Sequence, residues 1–258
     1  MKKKVWRMIS VIAFVLAGII FVSLGIKHFK DVKIQEMYAD YAQKRQQNDH
    51  AYATATPGGA SEPIEIPVDF ETLIEDNPDI YAWVTVPGTQ IDYPVVQSGT
   101  DNAYYLNHAV NYAESAAGAI FTEDYNSKDF QDYITVLYGH NMKNGSMFAG
   151  LRSYEDNAFF DTHRDITVYT PDTIRKYRVF AAYVEDDRHL LYYYNQGITA
   201  EDRKAFLDDI MTHRDMQSIY DADAPVDENS KILTLSTCHR TGDAYRFLVQ
   251  AYLVEELK

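Results

Sequence analysis

The sequence predicts a mainly β outer domain, closed as a barrel or folded as a sandwich, carrying a few short helices and preceded by an N-terminal transmembrane helix. Three observations lead there. An uncharged apolar run follows a basic tip; about eight short runs rich in Val, Ile, Thr, Tyr and Phe lie between residues 81 and 254; and Pro-Gly and Pro-Asp pairs punctuate consecutive runs.

The first element is the anchor, residues 1–30. Lys2, Lys3, Lys4 and Arg7 precede the run from Met8 to Ile26, whose roughly 19 residues reach about 28 Å as a helix, close to the hydrocarbon thickness of a bilayer. The run passes through Gly25 and Ile26 straight into Lys27, His28 and Lys30, without the small-x-small site of a cleaved signal peptide. The first 33 residues hold seven Lys or Arg against the single acid Asp31, so a chain of net charge -14 carries -20 on its remainder. The denser basic cluster at the N-terminus predicts a single-pass protein of the cell membrane with its acidic domain extracytoplasmic; the alternative, a cleaved signal in a secreted protein, leaves the compartment unchanged. That acidity also speaks against nucleic acid as a partner, which requires a basic face.

Residues 31–68 read as a juxtamembrane stalk and linker. Asp31 to His50 is free of Gly and Pro and permits a helix, though Val32, Ile34, Met37, Tyr38 and Tyr41 form only a ragged stripe. Ala51 to Pro67, with Thr56-Pro57-Gly58-Gly59-Ala60-Ser61, breaks helix and strand alike. The folded domain, 69–258, opens on Asp69, which can cap a short helix presenting Phe70, Leu73 and Ile74 on one face until Asn77-Pro78 stops it.

Strands are expected at Tyr81 to Val86, Ile91 to Val96, Gly118 to Thr122, Tyr133 to Tyr138, Asp165 to Thr170, Arg175 to Val184, Lys231 to Thr237 and Ala244 to Val254. Pro87-Gly88 and Pro171-Asp172 make hairpins of the pairs they separate. Between Val184 and Lys231, Thr199 and Asp202 precede Phe206, Leu207, Ile210 and Met211, which is the pattern of a capped amphipathic helix inserted between two strands. Such an insertion is either functional or a cover for a barrel edge.

The chain has one cysteine, so it forms no intramolecular disulfide, and it has no CxxC pair to hold a structural zinc. Cys238 ends the apolar run Ile232 to Thr237. Thr241-Gly242-Asp243 reads as a hairpin turn into the last strand. With pairing centred on Gly242, Cys238 faces Arg246 on one side of the sheet, in a polar setting where cations stabilise a thiolate. Ser236 and Thr234 share the face of Cys238, whereas Thr237, Leu235 and Leu233 point the other way. Alternation also directs His239 away. His140, at the end of the strand Ile134 to Leu137 in Tyr138-Gly139-His140-Asn141, is the better base. His108, His163, His189 and His213 read as surface or loop residues, and Tyr192, Tyr193 and Tyr194 as either a peptide groove or an aromatic cluster.

Thr234-Leu235-Ser236-Thr237-Cys238, with Arg246 eight positions on and His140 in a Gly-His-Asn setting, resembles the signature of the sortase family, and class B most closely. Supporting stretches include Trp83-Val84-Thr85-Val86-Pro87-Gly88, Ile91-Asp92-Tyr93-Pro94-Val95-Val96 and His140-Asn141-Met142 with Gly145-Ser146-Met147-Phe148. The resemblance implies an eight-stranded sortase-type β-barrel and a membrane-anchored cysteine transpeptidase of Gram-positive bacteria. Such an enzyme cuts a C-terminal sorting signal of Asn-Pro-x-Thr-Asn/Gly type after Thr and joins the new end to a cell-wall amine. It implies Cys238 as nucleophile, His140 as general acid and base, and Arg246 as stabiliser of the oxyanion or holder of the substrate backbone. Substrate contacts are expected from Ser236, Thr237 and Tyr192. The partners implied are secreted proteins bearing the signal, a peptidoglycan precursor or wall peptide amine, and the membrane. No cofactor and no metal are expected, and Glu123-Asp124 and Asp186-Asp187 read as solvated surface. Two rival readings are a cysteine endopeptidase that releases its product to water and an idle surface-binding module.

Overall fold

The computed structural model describes residues 2–54, 64–212, 218–238 and 244–258. The turn expected at 241–243 and His213 therefore lie outside the described residues, as does most of the linker. The chain divides into two compact units, Met1–Tyr41 and Ala42–Lys258. Helix α1, Lys2–Thr54, carries the apolar run and continues through the residues expected as a stalk, so Ala51–Thr54 are helical where the sequence predicts linker. Its stretch from Ile12 is long and apolar enough to cross a membrane.

The second unit begins with the last turns of α1. Asn48 Nδ2 donates to the Pro67 carbonyl at 3.2 Å. Helix α2, Phe70–Asp76, starts where predicted: Asp69 accepts from the Thr72 amide at 3.1 Å and from its hydroxyl at 2.7 Å. Phe70 and Leu73 are buried, but Ile74 is exposed, because in a helix this short two positions suffice to cover the contact with the sheet.

Nine strands are described: β1 Ile80–Thr85, β2 Asp92–Val96, β3 Ile120–Phe121, β4 Ile134–Tyr138, β5 Asp165–Thr170, β6 Thr173–Asp186, β7 Ile219–Tyr220, β8 Ile232–Cys238 and β9 Tyr245–Leu257. Eight of them close a barrel in the order β5, β1, β2, β3, β4, β8, β9, β6, with β5 and β6 completing the ring and β7 added to β6. Both Pro-containing turns join antiparallel neighbours, β1 with β2 and β5 with β6. Two neighbours pair in parallel, β2 with β3 and β4 with β8, and the second of these governs the site. Strand β7 was not expected, since its two residues are too few to show a period.

The insertion between β6 and β8 holds α4, Leu190–Tyr193, and α5, Ala200–Thr212. Thr199 and Asp202 cap α5 reciprocally at 3.0 and 3.1 Å. Phe206 and Ile210 pack with Leu190, Leu191 and Tyr194 against Ile134, Val136, Ile232 and Leu248. The alternate residues Thr135, Leu137, Leu233 and Leu235 are buried as well. Both faces of β4 and β8 are therefore covered, which is why these strands read as continuous apolar runs rather than alternating ones. The insertion thus lies over the face of the sheet and not over an edge. Beyond the sequence expectation, a 3-10 helix at Phe148–Glu155 and α3, Asn157–Thr162, follow β4, and Phe148, Leu151, Tyr154 and Phe160 are buried there.

Candidate active site

Cys238, the last residue of β8, is partly exposed and stands across from Arg246 on β9. The whole β8–β9 register, from Ile232 opposite Tyr252 onward, is that of a turn centred on Gly242. Parallel pairing of β4 with β8 sets Tyr138 beside Ser236, and Gly139 N donates to the Ser236 carbonyl at 3.1 Å. Two residues further along each strand come His140 and Cys238, which therefore leave the barrel at one rim. A cleft of about 290 Å³ opens there, lined by His140, Cys238, Arg246, Ser236 and Thr237 among others.

His140 Nε2 lies 2.6 Å from the Leu106 carbonyl oxygen. A carbonyl only accepts, so Nε2 carries the proton and Nδ1 is the nitrogen left to exchange one. The Phe148 amide holds the His140 carbonyl at 2.9 Å. Gly139 is required beside it, since a Cβ would stand 2.5 Å from Ile120 Cδ1 and 2.7 Å from the Phe148 ring. Asn141 Nδ2 donates to the Cys238 carbonyl at 3.0 Å.

Ser236 is buried in the cleft wall. Thr237 is buried too, lines the same cleft, and its hydroxyl lacks a hydrogen-bond partner among the described residues. Thr234 is engaged elsewhere, donating at 2.6 Å to Gln250, which in turn donates to the Tyr183 hydroxyl. Tyr192 sits on α4 with 82% exposure, outside the cleft lining, and Tyr193 is exposed with Arg188 over its ring, whereas Tyr194 belongs to the core. The aromatic triplet thus divides between surface and core.

The far wall holds residues that sequence reasoning missed. His189, read as a surface residue, lines the cleft: its Nδ1 accepts from the Tyr192 amide at 3.1 Å, and its Nε2 meets Glu123 at 2.7 Å. The first contact fixes the neutral tautomer with the proton on Nε2, so His189 donates to Glu123 without needing a charge. Tyr138 donates to the same carboxylate at 3.1 Å, and burial, followed by that neighbouring charge, holds its phenol well above the ordinary value. Glu123 thereby ties the insertion to the barrel rim. Arg188 grips Asp186 at 2.7 and 2.8 Å, and those hydrogen bonds hold the Asp186 carboxyl below its usual range. Asn102 and Asp124 exchange two hydrogen bonds of 2.6 and 2.8 Å. The acids of Glu123-Asp124 and Asp186 are thus engaged by protein partners. Among the described residues, no three His, Cys, Asp or Glu converge as metal ligands.

A cysteine paired with an arginine across two strands, an imidazole at the end of the neighbouring strand and a walled cleft bring together the residue types that acyl transfer uses. The family model of the sortase domain matches residues 84–254. Sortase B of Listeria monocytogenes is 33% identical over 249 residues, covering 94% of this chain and 98% of its own length. Among solved structures, a sortase B–substrate complex from Staphylococcus aureus aligns with TM-score 0.70 and 26% identity, over 88% of this chain and 99% of that one. Clostridium perfringens sortase B aligns with TM-score 0.63 and 30% identity, over 72% of this chain and all of its own.

Proposed function

The chain belongs to the sortase family of cysteine transpeptidases, in class B, and from that premise we propose the reaction its cleft performs. It cleaves a C-terminal sorting signal of Asn-Pro-x-Thr-Asn/Gly type after the threonine and joins the new end to a cell-wall amine. The observation that carries this reading is the pairing of Cys238 with Arg246 on the rim to which β4 delivers His140.

In the first half-reaction the Cys238 thiolate attacks the threonine carbonyl carbon. The Thr–Asn or Thr–Gly bond breaks, a thioester forms, and His140, as the imidazolium, gives its Nδ1 proton to the departing amine while Nε2–H stays on the Leu106 carbonyl. Arg246 faces the developing oxyanion with donors that are always charged. In the second, an incoming amine passes a proton to His140 as it attacks the thioester, an amide forms, and the thiolate is regenerated. Ser236 and Thr237 contact the signal within the cleft. Thr237 lines the cleft next to Ser236, and Tyr192, exposed on α4, is available to substrate residues outside.

The anchor comprises residues 1–30, the stalk and linker 31–68 and the catalytic domain 69–258, which faces the outside of the cell membrane. Its partners there are secreted proteins bearing the signal and a peptidoglycan precursor or wall peptide amine. Protease added to wall-stripped cells should release the domain by cutting within residues 51–67, and full protection would reverse the orientation.

The test is mass spectrometry of products from an Asn-Pro-x-Thr peptide and its Leu-Pro counterpart, with and without a diaminopimelate-containing or glycine peptide as acceptor. Amide product and preference for Asn-Pro are expected; Cys238→Ala should abolish turnover while leaving the fold intact, since it leaves only a small void at a strand end. Free acid alone at saturating amine means an endopeptidase. An active Cys238→Ala protein removes the catalytic assignment.

A further inference from the structure

The parallel ladder between β4 and β8 ends one step before the residues that react. Its last backbone rung among the described residues is Gly139 N to the Ser236 carbonyl, at 3.1 Å. In a parallel pair the next rung of the same direction would run from the amide of residue 141 to the Cys238 carbonyl. That carbonyl instead accepts the side-chain amide of Asn141, at 3.0 Å. The side chain therefore prolongs the ladder where the backbone has left it.

The neighbouring bonds make the segment a double tie. His140 is held by the Leu106 carbonyl at 2.6 Å, and the next residue holds Cys238. The loop does not need the Asn141 side chain for its own shape. Asn141 and Met147 form a backbone bridge, the Phe148 amide binds the His140 carbonyl, and the Gly145 amide binds the Met142 carbonyl. What the carboxamide adds is a cross-link from the segment carrying the imidazole to the strand end carrying the sulfur, between residues 97 positions apart.

We propose that Asn141 is a positioning residue for the acyl-transfer reaction: its carboxamide fixes the Cys238 backbone relative to His140, so that sulfur and imidazole meet the scissile bond together. It touches neither substrate nor reacting atoms. The inference rests on the transpeptidase reading above and deepens it.

The test uses the full chain in detergent or the membrane, with Asn141→Leu, which has nearly the same volume and no donor, and Asn141→Gln, which keeps the donor on a longer stem. Asn141→Leu should lower kcat on the preferred sorting peptide about 10- to 100-fold with KM within about two-fold, since an error of roughly 1 Å in a reacting pair costs about that much. Alkylation of Cys238 by iodoacetamide should change less than about three-fold, because a small reagent needs the thiolate and not the aligned imidazole. Thermal midpoints should stay within about 4 °C. Asn141→Gln should recover part of the lost kcat.

A leucine variant with wild-type kcat overturns the proposal. So does a rise in KM at unchanged kcat, which would make Asn141 a substrate contact, and so does a loss of kcat matched by loss of folding in both variants. A wild-type protein that turns over no sorting peptide sinks the underlying reading and this inference with it, whereas an active wild type beside an equally active Asn141→Leu sinks this inference alone.

Discussion

Cys238 and Arg246 are direct partners across the antiparallel pair β8–β9, at the rim of the barrel. Their separation in sequence is even, so both side chains fall on one face of the sheet. The thiol and the guanidinium are thus placed by two strands of backbone hydrogen bonds, while β9 is held on its other side by β6, with Glu185 opposite Arg246.

Replacement of Arg246 by lysine should be severe. One ammonium cannot reproduce a planar fork of donors, and loss of an oxyanion donor costs about 10²- to 10³-fold in kcat. Steady-state kinetics on the sorting peptide measure this, and near-normal turnover in Arg246→Lys would remove the assigned role. Inserting one alanine between Gly242 and Asp243 should be equally damaging by reversing the face of Arg246.

Gly118 acts on His140 through a third residue. Its φ is +57°, and a Cβ there would stand 2.4 Å from the Tyr105 carbonyl oxygen and 2.8 Å from that of Leu106, the acceptor for His140 Nε2. Gly118→Ala should therefore cost about 1–3 kcal/mol of stability through the left-handed backbone and the clash, and should lower kcat as the Leu106 carbonyl is pushed aside. Chemical denaturation and kinetics on the same preparation test both halves. A variant destabilised yet fully active would show that the Leu106 contact is dispensable.

The end of α1 belongs energetically to the barrel. Arg45 Nε meets Asp92 of β2 at 2.9 Å with both side chains nearly buried, Gln46 donates to the same carboxylate at 2.9 Å, and Trp83 donates to it at 2.7 Å. A fragment beginning at Ala42 should accordingly be more stable than one beginning at Asp69 by about 1–3 kcal/mol, the cost of stranding a largely buried polar group. Equal urea midpoints for the two fragments would place the working boundary at Asp69.

Alkaline pH should unfold the domain. Burial, first among the causes, holds the phenols of Tyr81, Tyr177 and Tyr183 well above the ordinary 10.0. The unfolded chain releases these protons near pH 10, while the folded one keeps them. The stabilisation is therefore complete below about pH 10 and is lost as pH rises toward the folded values. Phenolate absorbance near 295 nm should appear together with the loss of circular dichroism; full ionisation of these tyrosines in a folded protein would contradict their burial.

Much of this protein was legible along the chain because the relevant physics is local. The apolar run of the anchor, the Asp69 cap, the Thr199–Asp202 box and the Pro-containing hairpins each depend on a few consecutive residues. So does the parity that puts Cys238 opposite Arg246: a period of two and a turn centred on Gly242 fix it without knowledge of the rest of the fold. The motif around Cys238 and the Gly-His-Asn context of His140 pointed to the family for the same reason.

Tertiary structure decided what lies between distant segments. The union of His140 with Cys238 follows from the parallel pairing of β4 and β8, which no short turn announces, since parallel neighbours are joined by long connections whose ends carry no register. The Leu106 carbonyl that fixes the His140 tautomer is a backbone atom common to every residue type, so its identity leaves no mark in the sequence. The Glu123–His189 tie appears only when the insertion folds back over the sheet and turns a residue read as surface into a wall of the cleft. Which side chains carry reactive chemistry, and which faces they share with near neighbours, is written along the chain. Only the closure of the barrel set the reacting groups on one rim, because that juxtaposition is a property of strand order and not of any single strand.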